Sequence, residues 1–126
     1  MTTPKKVIAL LNDLMFTVKI QEAAKRAGLE AVFVTTQQDA LVRAGQGAAA
    51  LILDLNYAAA EPLELIGKLK NDEQTKDIAL VGYVSHVQVD LRQAAQEKGC
   101  DTVLARSAFS QNLPAIFERY ADGSKD

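Results

Sequence analysis

Two aspartates stand where apolar segments of this sequence end, and they are the first candidates for chemistry. Asp54 directly follows the apolar residues 48–53, and Asp13 follows residues 7–11 after a single asparagine. A carboxylate at the end of a buried strand is costly to keep there without a function. Two neighbouring carboxylates repel unless a proton or a cation relieves them, and Mg²⁺ suits such a pair because it needs few protein oxygens. The pair predicts a divalent-cation site.

The same residues fit phosphoryl transfer, with Asp54 as the nucleophile. A transferred phosphoryl group carries charge on its equatorial oxygens, and catalysis consists mainly of positioning the group and neutralising that charge. Asp13 would hold the metal, and Arg106, which follows the apolar residues 102–105, would neutralise the phosphoryl oxygens. Plainer interpretations stay open, because Asp13 is equally well explained as a helix N-cap; for Asp54 a functional role is favoured over the cap of a turn.

Other polar residues follow the remaining apolar segments. Ser85 and His86 end the fourth segment. For His86 we favour a plain strand-to-helix turn, since no second His or Cys shares that segment end to complete a zinc site. Asn12 is neutral and adds no charge to a cation site. Cys100 follows Gly99 at the start of a strand, at the edge away from the aspartates, and is interpreted as a buried thiol.

Five short apolar segments alternate with segments of helical periodicity, which predicts an α/β domain with a parallel sheet. The strands are predicted at residues 7–11, 31–34, 48–53, 78–84 and 102–105. They are apolar at successive positions, as is typical of strands covered by helices on both faces. Helices are predicted around residues 16–27, 38–44, 62–69, 91–95 and 110–120, with Ser110 as the N-cap of the last. In such sheets ligands bind at the carboxyl ends of the strands.

Length and composition predict one domain over residues 1–126, ordered from about 5 to 120 and followed by a short flexible tail. The 14 Lys and Arg residues stand against 16 Asp and Glu, so no basic face for nucleic acid is expected. The single cysteine forms no internal disulfide, and the first apolar segment is too short to cross a bilayer. We therefore expect a soluble cytoplasmic protein without nucleic-acid or membrane partners.

Over residues 6–120 the order of these motifs resembles the receiver domain of bacterial response regulators, of the chemotaxis-regulator type. Receivers carry an acidic pair, a phosphoacceptor Asp, a Ser or Thr and a Lys after the first, third, fourth and fifth strands. The matching positions here are Asn12-Asp13, Asp54, Ser85 (or Val84, depending on one gap) and Arg106. The resemblance implies a flavodoxin-like, doubly wound (βα)5 fold with strand order 2-1-3-4-5 and helices on both faces.

The resemblance also implies a function. It implies a stand-alone signalling domain of a two-component phosphorelay rather than an enzyme, with chemistry limited to self-phosphorylation and dephosphorylation at Asp54, assisted by Ser85 and Arg106. It implies weakly bound Mg²⁺, held by Asp13, Asp54 and the backbone carbonyl of Asn56. The implied partners are a histidine kinase or phosphotransfer protein, and a downstream protein on the face of the fourth helix, fifth strand and fifth helix; a homodimer stays open. That face is expected around Tyr83, Val103, Ser107 and Phe109.

Several positions depart from the receiver pattern. Asn12 removes a charge from the metal site, and Arg106 puts a planar fork where receivers have lysine, so that it would be able to pair permanently with Asp54. Ser107 replaces a proline, so the loop there is expected to be rebuilt, and Val103 replaces an aromatic switch residue.

Two main hypotheses therefore stand. One is a receiver that accepts a phosphoryl group on Asp54, and the other is an atypical or pseudo-receiver that binds proteins independently of phosphorylation. A nucleotide- or flavin-binding domain ranks last, because residues 12–16 contain no glycine and Asp13 repels phosphate.

Overall fold

The computed structural model describes residues 5–85 and 88–121, in which five strands alternate with five α-helices. The strands are β1 (Lys6–Leu10), β2 (Glu30–Val34), β3 (Ala50–Asp54), β4 (Ala79–Val84) and β5 (Thr102–Ala105). The helices are α1 (Leu14–Arg26), α2 (Gln37–Gly45), α3 (Pro62–Lys70), α4 (Val89–Lys98) and α5 (Arg106–Ala121), with a short 3-10 helix at Ala58–Ala60.

The strands form one parallel sheet in the order β2-β1-β3-β4-β5. This order confirms the doubly wound, flavodoxin-like topology expected from the sequence. Because β1 and β3 are neighbours, the segments that carry Asp13 and Asp54 leave the sheet side by side.

Each strand alternates its side chains between two apolar layers, which is why the strand sequences are apolar at successive positions. One layer lies between the sheet and α2, α3 and α4, and contains Ile8, Leu51 and Leu65. The other lies between the sheet and α1 and α5, and contains Phe16 and Phe109. The helices that begin next to Asp13 and Arg106 therefore share one face of the sheet.

Several helices begin or end at residues that are favourable helix caps. Asp13 caps α1, and Thr36 caps α2 by accepting a hydrogen bond from the backbone N–H of Asp39. α4 ends at Gly99, whose φ of 114° lies in a region that residues with a side chain rarely adopt. The second helix, the least distinct in the sequence, is present as α2.

The last helix begins earlier than the sequence analysis predicted. α5 starts at Arg106, directly after β5, and Ser110 lies inside the helix instead of capping it. Residues 106–109 contain no proline or glycine, so the strand continues into a helix without a loop. The rebuilt loop expected at Ser107 is thus the first turn of α5, and Pro114 lies in the helix interior.

Some expectations concern residues that the structure does not describe. His86 and the predicted flexible tail beyond residue 121 lie outside the described residues. Within residues 5–85 and 88–121, every helix is too short or too polar to span a bilayer.

Candidate functional site

Three charged residues predicted from the sequence come together at the carboxyl edge of the sheet. Asp54 is the last residue of β3, Asp13 is the N-cap of α1, and Arg106 is the first residue of α5. Arg106 is hydrogen-bonded to Asp13, and β3, which ends at Asp54, pairs with β1, which leads to Asp13. They form a single site.

Both carboxylate oxygens of Asp13 are engaged. Oδ1 accepts a hydrogen bond from the backbone N–H of Phe16 at 3.0 Å, and Oδ2 accepts one from Nη2 of Arg106 at 2.5 Å. The Phe16 N–H and then the Arg106 guanidinium lower the pKa of Asp13 below its usual value. The sequence left capping and cation binding as alternatives for Asp13, and the structure shows it capping a helix and binding a guanidinium at once.

Arg106 is held by a second contact. Its Cζ atom lies 4.4 Å from the centroid of the Phe16 ring, a cation–π distance. The ion-pair partner of Arg106 is Asp13, whereas the sequence suggested Asp54. The reason is geometric: α1 and α5 lie on the same face of the sheet, and the first turn of α5 adjoins the first turn of α1.

An aromatic cluster lies under this ion pair. Phe16 packs edge-on against Tyr83 with ring centroids 5.1 Å apart, and Tyr83 stacks on Phe109 at 5.0 Å. The Tyr83 hydroxyl is buried and has no hydrogen-bond partner within the described parts of the chain. Burial, and then the negative charge of Asp54, raise the pKa of Tyr83. Sequence reasoning missed this cluster, because the positions of Phe16 and Tyr83 in the sequence do not show that their rings meet in the folded chain.

Asp54 differs from Asp13 in its electrostatics. Its Oδ1 accepts a hydrogen bond from the backbone N–H of Asn56 at 2.9 Å. Burial raises the pKa of Asp54, and the Asn56 N–H and the Arg106 charge oppose that rise without cancelling it. The pKa values of the two carboxyl groups are thus shifted in opposite directions, that of Asp13 downward and that of Asp54 upward.

Asn56 connects the loop after Asp54 to the start of α4. Its Oδ1 accepts a hydrogen bond from the backbone N–H of Ser85, and its Nδ2 donates one to Gln88, both at 2.7 Å. Ser85 therefore lies exposed at the rim of the site, while Val84, the alternative match to the receiver Ser or Thr, is buried. From the sequence, only the backbone carbonyl of Asn56 was expected to take part, as a metal ligand. No sequence signal indicates that its side chain would bind the segment before α4.

The oxygen donors of this site do not fit a divalent cation as they stand. A metal at Asp13 would have to replace the guanidinium of Arg106, and Asn12 brings no compensating charge. In residues 5–85 and 88–121, no three His, Cys, Asp or Glu side chains group together as metal ligands. The Mg²⁺ ligands named from the sequence, Asp13, Asp54 and the Asn56 carbonyl, stay a prediction.

The face expected to bind a downstream protein needs correction. Tyr83, Val103 and Phe109 are buried, with relative exposures of 1%, 3% and 0%, and of the four residues named for that face Ser107 alone is exposed. Tyr83 and Phe109 belong to the layer under α1 and α5, and Val103 belongs to the opposite layer. Their apolar character serves the core, so this set of residues does not form a docking surface.

The fold and the site together define a doubly wound α/β domain with an acidic site at the carboxyl edge of its sheet. Solved structures similar to it are receiver domains. The phosphorylated cyanobacterial phytochrome response regulator RcpA has a TM-score of 0.84 and 19% identity, with 98% of each chain covered. A response regulator from Hahella chejuensis has a TM-score of 0.83 and 19% identity over 92% of this chain and 94% of that one.

A third similar structure contains a metal. The receiver domain of the sensor histidine kinase PA1611 from Pseudomonas aeruginosa PAO1, solved with a magnesium ion in its active-site cleft, has a TM-score of 0.81 and 12% identity over 95% of this chain and 99% of that one. Neither a scan against protein-family models nor a search of the curated proteins finds a match. The structural likeness establishes that this chain has the receiver fold.

Proposed function

We propose that this chain is a receiver-like signalling domain that acts through protein contacts without a phosphoryl group on Asp54. The receiver fold and the aspartates at the carboxyl edge of the sheet support the signalling role. The observation that supports an unphosphorylated Asp54 is that both oxygens of Asp13 are occupied. Oδ1 accepts a hydrogen bond from the N–H of Phe16, and Oδ2 accepts one from Arg106.

Phosphoryl transfer to a carboxylate requires positive charge placed where the incoming oxygens arrive. In this site Arg106 does not pair with Asp54, since it is bound to Asp13 and lies over the Phe16 ring. Burial also raises the pKa of Asp54 above its usual value, because it disfavours the charged carboxylate. Both features favour a domain that keeps the receiver scaffold and leaves Asp54 unmodified.

A phosphoryl-accepting receiver is the second candidate, and one observation favours it. Asp54 ends its strand half-buried rather than sealed in the core, beside the exposed Ser85 segment. One neighbour of the same fold was solved phosphorylated and another with magnesium in its cleft. In this alternative a histidine kinase or phosphotransfer protein supplies the phosphoryl group, and Mg²⁺ assists.

Intact-mass measurement separates the two candidates. Wild type and Asp54→Asn are incubated with Mg²⁺ and a small phosphodonor, beside the Pseudomonas receiver domain as a positive control. We expect no mass gain in wild type beyond that of Asp54→Asn. A phosphoryl adduct on wild type that Asp54→Asn lacks would overturn the proposal in favour of the second candidate.

A second arm tests the role of protein contacts. A partner protein, once identified, is expected to bind wild type and Asp54→Asn with equal affinity in a direct titration. Binding that requires Asp54 would contradict the proposed function.

A further inference from the structure

We infer that Arg106 is the built-in cation of this site, and that it excludes a divalent metal ion by occupying Asp13. This deepens the proposed function and rests on it, since a site that carries its own cation has no use for a metal.

The Arg106 guanidinium is fixed on two sides. On one side Nη2 donates to Asp13 Oδ2, and on the other the Phe16 ring lies 4.4 Å from Cζ. A planar guanidinium suits both contacts at once, because it donates in its plane and stacks across its face, whereas an ammonium group is a compact point charge. The arginine in place of the receiver lysine is therefore matched to this arrangement.

The positions of the two residues in their helices favour the pair as well. Arg106 is in the first turn of α5, where a positive charge opposes the helix dipole, and Asp13 is at the N-terminus of α1, where a negative charge is favoured. The Asp13 carboxylate offsets the unfavourable placement of Arg106. Without Asp13, the guanidinium would lose the hydrogen-bonded anion that offsets its repulsion by the N-terminus of α5.

A metal at Asp13 would meet two obstacles. Oδ1 accepts the capping hydrogen bond of α1, so a metal that bound Oδ1 would uncap the helix. A metal at Oδ2 would displace the guanidinium, which would stay tethered nearby as a repelling charge. Mg²⁺ gives up its waters reluctantly, and the neutral amide of Asn12 adds no charge to the carboxylates of Asp13 and Asp54.

The test is a Mg²⁺ titration followed by amide chemical shifts around Asp13 and Asp54 in two-dimensional NMR. The variant is Arg106→Met, which removes the charge and keeps an apolar stem over Phe16. We expect Mg²⁺ to bind this variant about tenfold or more tightly than wild type, with the shifts centred on Asp13. The control is Arg26→Ala, which removes an exposed arginine from the last turn of α1 and is expected to bind like wild type.

A further variant identifies the ligand. Asp13→Asn combined with Arg106→Met is expected to lose the gained affinity, because Asn keeps the helix cap and removes the charge. If Arg106→Met does not give a dispersed spectrum, Arg106→Gln replaces it in both experiments. Equal Mg²⁺ affinity in wild type and the Arg106 variant would overturn the inference.

The two proposals fail separately. A phosphoryl adduct on wild-type Asp54 would overturn the proposed function, whereas tight Mg²⁺ binding at Asp13 without an adduct would overturn only the role assigned to Arg106.

Discussion

The guanidinium of Arg106 and the carboxylate of Asp13 are 93 residues apart in the chain, yet they are hydrogen-bonded and join the first turns of α5 and α1. This contact links the two helices that lie on one face of the sheet. Burial raises the pKa of Asp54, and the Arg106 charge, which does not pair with Asp54, opposes part of that rise.

Asp13→Asn is expected to destabilise the domain by about 1 kcal/mol at neutral pH, as for a partly exposed ion pair. Asparagine still caps α1, so the loss reports the charge. The folded-state pKa of Asp13 is below its unfolded value, so this stability is present above about pH 4 and is lost as the pH falls through the folded pKa. Denaturant unfolding of both proteins at neutral and acidic pH measures it. A difference that does not shrink in acid would contradict the assignment.

Asp54→Asn is expected to act in the opposite direction. Burial raises the folded-state pKa of Asp54, so the ionised side chain weakens the fold at neutral pH, and stability rises as the pH falls through that raised pKa. Asparagine keeps an acceptor for the Asn56 N–H and removes the charge, and we expect a gain on the order of 1 kcal/mol. Unfolding free energies at neutral pH check the gain, and a loss of stability would show that the carboxylate is held as an anion.

Tyr83→Phe is expected to stabilise the domain by about 1 kcal/mol, because it removes a buried hydroxyl that has no partner in residues 5–85 and 88–121 and keeps the ring stacked on Phe109. Tyr57→Phe is the matched control. The Tyr57 hydroxyl donates to the carbonyl of Thr35 at 2.7 Å, so the same substitution there is expected to cost about 1 kcal/mol. Thermal unfolding of both variants measures the signs, and a destabilised Tyr83→Phe would reveal a bound water or partner at that hydroxyl.

Gly99→Ala is expected to destabilise the domain by about 1–2 kcal/mol. The φ of Gly99 is 114°, and an added Cβ would lie 2.9 Å from Cγ of Lys70. Gly67→Ala provides the contrast, since Gly67 is inside α3 and an added Cβ meets no atom within 4 Å among the described residues. Alanine is the better helix former there by about 1 kcal/mol, so this variant is expected to be more stable. Chemical denaturation of the two variants tests the contrast.

The fold was predictable from the sequence because the pattern of apolar segments is local and repeated. Each strand is apolar at successive positions, and the helical segments between the strands show the expected periodicity. The start of α5 was not predictable in the same way. Ser110 has a good N-cap side chain, but nothing in residues 106–109 stops a helix from beginning at the end of the strand.

The sequence predicted the edge at which the charged residues lie, but it predicted neither which acid pairs with Arg106 nor the roles of Phe16 and the Asn56 side chain. Order along the chain placed Asp13, Asp54 and Arg106 at one edge, since parallel strands end together. Which acid binds Arg106 depends on which helices share a face of the sheet, and that is a property of the packed structure. For the same reason Tyr83 and Phe109, which the resemblance to receivers assigned to a docking face, are core residues in the structure.

The measurement that tests the central claim most directly is a carbon-13 NMR titration of the Asp13 and Asp54 carboxyl groups, with and without Mg²⁺. If Arg106 is the cation bound to Asp13, the pKa of Asp13 lies below the usual value for aspartate and Mg²⁺ leaves the Asp13 titration unchanged, whereas burial holds the pKa of Asp54 above that value. An Asp13 carboxyl that titrates normally, or whose titration moves when Mg²⁺ is added, would contradict the account.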